Sequence, residues 1–239
     1  MFEISADFRA AERVLSDLGR RQLPFAAMMA VNDTAKDVLQ EVEREIETSF
    51  DNPTRFTRKA FFVRRANNKK NPVATVERKT PVAGKHYLVV QSRGGIRPQT
   101  GLEKLLANRL KYAGVIRTVA PASGARRNAY GNWSPGQRNQ VLSAIKAQRD
   151  ASSNTTSRSL KRQGGRNGYF VPREGSKLGA GVYQRMARGR VKKIVNFSDA
   201  AARYRQRFEF DDVALETAQS NFERHFFARL EKAIRTAKR

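Results

Sequence analysis

LPFAAMMAVNDTAKDVLQEVEREI, Leu23 to Ile46, places Met28, Val31, Ala35, Val38, Leu39, Val42 and Ile46 at helical spacing. Apolar residues recurring with a 3.6-residue period predict a long amphipathic helix. Pro24 suits its first turn, where a missing N–H costs nothing. The acids Glu41, Glu43, Glu45 and Glu47 decorate the remaining surface. Asn52-Pro53 disfavours continuation, so the helix should stop near Phe50.

Working outward, a shorter helix is predicted upstream. Ser5 or Asp7 caps it, Phe8, Ala11, Val14, Leu15 and Leu18 form its stripe, and Gly19 ends it. Downstream comes RFTRKAFFVRRANNKK, Arg55 to Lys70, with seven Lys or Arg and three Phe in sixteen positions and no acid. Rings beside cations can form a platform for unpaired bases. Phenylalanine is more often buried than displayed. The favoured expectation is therefore that Phe56, Phe61 and Phe62 anchor the segment to the core or to a neighbour. Arg58, Lys59, Arg64, Arg65, Lys69 and Lys70 would then face outward.

Beyond Asn71-Pro72, VATVERK (73–79) alternates like a strand, and HYLVVQS (86–92) is rich in β-formers and ends at Gly94-Gly95. Thr100 caps a helix carrying Leu102, Leu105, Leu106 and Leu110. A short strand is expected over 114–119, a loop over 122–132, and a helix from Ser134-Pro135 with Val141, Leu142 and Ile145 on its narrow apolar face. Residues 151–168 are polar, basic and Gly-rich, which predicts a loop that is mobile or orders only on contact. Strands follow over 168–171, 180–187 and 190–197, the last two joined by a turn at Arg188-Gly189. A final helix starts near Asp211 or Asp212 with a stripe of Phe222, Phe226, Leu230 and Ile234. The whole reads as a single α+β domain of 239 residues: a mostly antiparallel sheet, long N- and C-terminal helices, and extended basic loops.

Charge divides the chain. Residues 1–50 carry a net −4, residues 51–200 a net +26, and residues 201–239 a net +3, within a total of +25. Two nearly ordinary helical ends flank a basic sheet-and-loop middle. The expected partners of such a charge are polyanions: nucleic acid, an anionic membrane or an acidic protein surface. Cysteine is absent, which excludes disulfides and Cys-based metal sites. The two histidines, His86 and His225, are far apart, so no metal or catalytic centre is expected. No apolar run reaches the roughly 20 residues of a membrane span. The N-terminus lacks a signal-peptide pattern. No phosphate-binding glycine motif opens a helix, and six acids in the middle poorly supply a two-metal nuclease. No cofactor and no enzymatic activity are expected.

The strongest basic clusters are Arg126 and Arg127; Arg158, Lys161, Arg162 and Arg166; and Arg185, Arg188, Arg190, Lys192 and Lys193. On a hairpin, 188, 190 and 192 would share one face and 193 would take the other. These are the candidate nucleic-acid-facing residues, through the phosphate backbone rather than base edges. The candidate protein-interface residues are Phe56, Phe61, Phe62, Arg64, Arg65, Phe222 and Phe226.

One pattern goes beyond composition. Pro24, Ala26, Ala27, Ala30, Val31, Asn32 and Ala35 are followed by Arg64, Arg65, Lys69, Lys70, Asn71 and Pro72, and later by a Lys193-Ile194 strand and a long basic-ended helix. The chain here resembles the phage minor tail protein Z family, over about a quarter of its length. That resemblance implies a virion protein made in the host cytoplasm, which completes the tail at the head–tail junction. It implies a homo-oligomeric ring around the DNA channel, contacting portal, adaptor and tail-terminator or tail-tube proteins, with non-specific contact to viral DNA and none to membrane. The alternative expectation is a free, non-specific nucleic-acid-binding protein.

Overall fold

The computed structural model describes residues 16, 18–79, 87–110, 114–162, 168–173 and 175–237. The expected first helix, His86 and Arg166 lie largely or wholly outside them. In chain order the helices are α1 (Leu23–Ser49), α2 (Arg55–Arg58), α3 (Leu88–Arg93), α4 (Gly101–Arg109), α5 (Pro135–Ala144), α6 (Ser157–Arg162) and α7 (Phe210–Ala237). The strands are β1 (Phe61–Arg64), β2 (Thr75–Arg78), β3 (Gly95–Ile96), β4 (Thr118–Pro121), β5 (Tyr169–Phe170), β6 (Gly181–Arg185), β7 (Val191–Ser198) and β8 (Arg203–Tyr204). Every strand pairing among the described residues is antiparallel, so the chain is α+β as expected.

The chain divides into two compact units, where length and charge suggested one domain. One comprises 1–88 and 207–239, and the other 89–206. The division cuts across the basic middle, because α7 returns to pack on α1 and carries residues 55–79 with the helical ends.

In the first unit α1 and α7 run antiparallel. Ala26 and Ala30 on α1 and Ala233 on α7 are buried, and small side chains permit a close seam. Asp33 pairs with Arg229, and Asp37 accepts from Arg224 and meets His225 Nε2 at 2.7 Å. Burial pushes the Asp33 carboxyl up, but its bonds from Arg229 and Lys36 outweigh that and hold it below the usual range. At the other end of the seam, Val42, Ile46, Phe61, Leu88 and Phe208 close an apolar core. Asn32, 2% exposed, explains a polar residue in mid-helix: its Oδ1 accepts from the Ala66 N–H at 2.7 Å and its Nδ2 donates to the Ala66 carbonyl at 3.0 Å. It therefore pins the chain just after β1 to α1. Gly19 does not stop the helix. Leu18–Gln22 forms a π-helical turn that runs into α1. Pro24 offers no N–H to the ladder, which fits a shift to wider spacing just before it.

Two further expectations are corrected. HYLVVQS contributes helix α3 rather than a strand. Leu88 is drawn into the core, and the Gly94 N–H closes on the Val90 carbonyl at 2.9 Å with Gly94 at φ +70°, so helix termination outweighs β propensity. The strand expected over 114–119 begins only at Thr118. Over 151–162, where composition predicts only loop, a 3₁₀ turn (Ala151–Ser153) and α6 form.

The second unit is built on a four-stranded sheet of order β4-β7-β6-β5, with β3 paired to β8. Leu106 of α4, Val141 and Leu142 of α5, and Val182, Ile194, Val195 and Phe197 of the sheet form its core. Helix α4 starts with a reciprocal cap: Thr100 Oγ1 accepts from the Glu103 N–H, and Glu103 accepts from the Thr100 N–H at 2.6 Å. Val182 pairs with Val195 but Tyr183 with Lys193, so Ile194 is an extra residue on β7. That bulge lets Ile194 and Val195 both be buried, and it resets the side-chain alternation for the basic end of the strand.

Candidate nucleic-acid interface

The second unit holds 24 Lys and Arg against 4 Asp and Glu, a net +20 of the chain's +25. Two of its acids, Glu103 and Asp150, serve structure. Glu103, 1% exposed, accepts from both Arg97 guanidinium nitrogens at 2.7 and 2.9 Å and from the Val119 N–H at 3.1 Å. Burial pushes its carboxyl up, yet these bonds and those from Thr100 hold it down to about 2. Asp150 accepts from the Ser152 N–H and caps the 3₁₀ turn. Among the described residues, Arg97–Glu103 is the only ion pair in this unit. Among the described residues, the candidate cations therefore pair with no carboxylate within it.

The hairpin β6–β7 separates its cations onto two faces. Lys192 pairs across from Gln184, while Lys193 lies over the Tyr183 ring at 5.6 Å and Arg185 over the Phe170 ring at 4.4 Å. Lys192 and Lys193 thus take opposite faces as expected. Arg188 and Arg190 do not extend the strand face of Lys192. Arg188 occupies the left-handed region (φ 59°) in the 3₁₀ turn Ala187–Gly189, and Arg190 precedes the first residue of β7. Both are exposed at the hairpin tip.

Arg126 is brought to Lys192 by the loop after β4. The Ala122 N–H donates to the Ile194 carbonyl at 2.9 Å, and the Gly124 N–H to the Lys193 carbonyl at 3.2 Å. A Cβ on Gly124 would stand 2.3 Å from that oxygen and 2.7 Å from Lys192 Cγ, so only glycine allows this approach. Arg126 and Lys192 then line one cleft of about 820 Å³ with Gln137, Gln140, Tyr169 and Gln184 among its walls. Arg127 sits apart, donating to the Gly131 carbonyl at 2.8 Å within its own loop. Arg158, Lys161 and Arg162 are exposed on α6, which follows the cleft-lining Ser153 and Thr155. The amides and Gly124 escaped the sequence reading, because uncharged polar residues leave no pattern and Gly124 looked like ordinary loop.

The candidate protein-interface residues split by burial. Phe61, 6% exposed, stacks on Phe210 at 4.9 Å and meets Phe208 at 6.0 Å, so it belongs to the first unit's own core. Phe62 is half-buried. Phe56 is 57% exposed and lies 6.3 Å from the Tyr87 ring, so it is not part of that core, and of the two expected anchorages, core or neighbour, only the neighbour remains for it. The charge beside them is partly neutralised: Arg58 pairs with Glu47, Lys59 with Glu43, and Arg64 with Glu77 across the β1–β2 hairpin. Arg65 is exposed. Phe222 stacks on the half-buried Phe226 at 6.0 Å and lines an apolar cleft of about 740 Å³ with Val31, Val38, Val76 and Phe210. The Thr34 hydroxyl, also on that cleft, is buried without a partner among the described residues.

Among the described residues no three His, Asp or Glu side chains converge as metal ligands, and no helix is long and apolar enough to cross a membrane. No protein-family model, curated protein or solved structure gives a significant match to the chain.

Proposed function

We propose that the chain is a non-enzymatic structural protein of a tailed-phage virion, completing the tail at the head–tail junction as part of a ring around the DNA channel. The observation that carries this reading is the segregation of charge. A unit with its own core holds +20, while in the helical unit several acids, among them Asp33, Glu43 and Glu77, pair with its bases. A DNA conduit needs diffuse positive charge without base readout. A ring also needs protein surfaces, and the apolar cleft beside Phe222, with the Thr34 hydroxyl on its wall, is suited to a neighbouring subunit. The residues carrying the family resemblance support the same reading as scaffold: Ala26 and Ala30 line the helix seam and Asn32 fixes the end of β1.

Deleting the gene from a phage that carries it tests the proposal. Filled heads without tails, or non-infectious particles, are expected, and a normal infectious yield would refute it. The second reading is a free, non-specific nucleic-acid-binding protein, favoured by the same charge. Absence from purified particles combined with salt-sensitive DNA binding by the isolated chain would select it.

A further inference from the structure

The cleft lined by Arg126 and Lys192 differs from the rest of the basic surface. Its volume of about 820 Å³ falls in the range of small-ligand sites. That volume equals a cube roughly 9 Å on edge, whereas the major groove of a duplex alone is about 12 Å wide. A duplex does not enter it. A single nucleotide unit does.

The walls are chemically selective. They carry two cations, no carboxylate, and the side-chain amides of Gln137, Asn139, Gln140, Gln148 and Gln184. Gln137 is 3% exposed, and its orientation is fixed: Oε1 accepts from the Arg126 N–H at 2.6 Å and from Trp133 Nε1 at 3.0 Å. Two donors on one oxygen leave the Nε2 group as the free end of the amide, and it has no partner among the described residues. Gln137 lines the cleft, so its Nε2 donors are available to whatever occupies it. The same hydrogen bond to the Arg126 backbone holds the loop that presents the Arg126 side chain. Amides donate and accept, which matches base and sugar edges, and Tyr169 adds a half-buried ring to the wall.

We propose that this cleft binds one nucleotide unit of an unpaired nucleic-acid strand, with Arg126 and Lys192 on the phosphate and the Gln137 amide donating to the ligand. The proposal rests on the nucleic-acid reading above and adds to it a preference for a strand end or an unpaired segment.

The test is fluorescence anisotropy at low salt with the full chain. The probes are a 5′-phosphorylated thymidine tetranucleotide and a short blunt duplex lacking terminal phosphates, and the competitors are free dTMP and oligoglutamate. Thermal unfolding confirms that each variant is folded. The double variant R126A/K192A should weaken tetranucleotide binding at least about tenfold, from the loss of charge-assisted contacts. R188A/R190A, at the hairpin tip, should leave it within about twofold while weakening the duplex. Gln140→Ala, an exposed change on the wall, should lower tetranucleotide binding and spare the duplex. Equal loss of tetranucleotide binding in both double variants would overturn the cleft and leave the general reading intact. Duplex binding without tetranucleotide binding would do the same. Competition by dTMP or oligoglutamate as effective as the unlabelled tetranucleotide would also overturn the strand assignment. If neither probe binds, the cleft and the nucleic-acid reading fall together.

Discussion

Glu103→Gln is the sharpest test of how the basic unit holds together. The wild-type carboxylate ties Arg97 beside β3, the cap of α4 and the Val119 N–H of β4 into one knot, and it is 1% exposed. Glutamine keeps the shape but not the charge, and it turns an NH₂ group toward donors. The carboxyl is held at about 2 against an ordinary value of 4.5, a difference worth about 3 kcal/mol at neutral pH. Leaving the mostly buried Arg97 without its counter-charge predicts a loss of similar size, about 3–5 kcal/mol. The sign with pH follows from the depressed value. The contribution is complete above the unfolded value near 4.5 and is lost as pH falls through about 2. Variant and wild type should therefore differ by about 3 kcal/mol at pH 7 and converge in acid. Trp133, the chain's single tryptophan, lies in the second unit and reports its unfolding alone. Urea unfolding followed by Trp133 fluorescence is the assay. A neutral-pH midpoint unchanged by Glu103→Gln, or a deficit that persists undiminished in acid, would refute the reasoning.

Other outcomes follow from single contacts. Phe61→Ala should cost about 3–5 kcal/mol, because it empties the aromatic core with Phe208 and Phe210, while Arg64→Glu on the exposed side of the same hairpin should cost about 1 kcal/mol or less; chemical denaturation distinguishes them. Asn32→Ala strips two buried hydrogen bonds from the backbone of Ala66 and should cost about 2 kcal/mol in the same assay. Gly124→Ala drives a Cβ into the Lys193 carbonyl, so the Arg126 loop must shift; tetranucleotide affinity should fall even though no cation is removed. If Arg185, Arg188 and Arg190, outside the cleft, each neutralise one duplex phosphate, log K against log salt should slope by about −2.7, and R188A/R190A should flatten it by about 2; a salt-independent affinity would contradict this.

Elements with local signals were legible in sequence. The stripe of α1, the Thr100 cap of α4, the Ser134-Pro135 start of α5 and the Arg188-Gly189 turn each depend on residues within one or two turns. What escaped depends on distant partners. Leu88 to Arg93 has the composition of a strand, yet Leu88 belongs to a core completed by Phe208, more than a hundred residues away. Phe56 and Phe61 look alike in their basic segment. Only the arrival of Phe208 and Phe210 makes one of them core and leaves the other exposed. The division into two units has the same origin, since nothing near α1 announces that α7 will cover it. The expected face-sharing of 188, 190 and 192 failed because a period-two rule assumes a strand, and Arg188 takes a left-handed turn instead.

The way acids are used bears most directly on function. In the first unit, carboxylates meet cations across elements: Asp33 and Asp37 reach α7, Glu43 and Glu47 reach residues just beyond α1, and Glu77 reaches β1. The second unit turns Glu103 inward and spends Asp150 on a cap, and among the described residues none of its surface cations pairs with a carboxylate. Solubility does not require this, because added acids serve it better than added bases. Self-repulsion at +20 opposes folding of a unit of this size, and the proposed polyanionic partner would supply the missing charge. Added polyanion should therefore raise the midpoint of the Trp133 transition in wild type. It should do so less in R126A/K192A/R188A/R190A, which begins with less repulsion to relieve. A polyanion that stabilises both equally would mean that these cations are not where the charge is met.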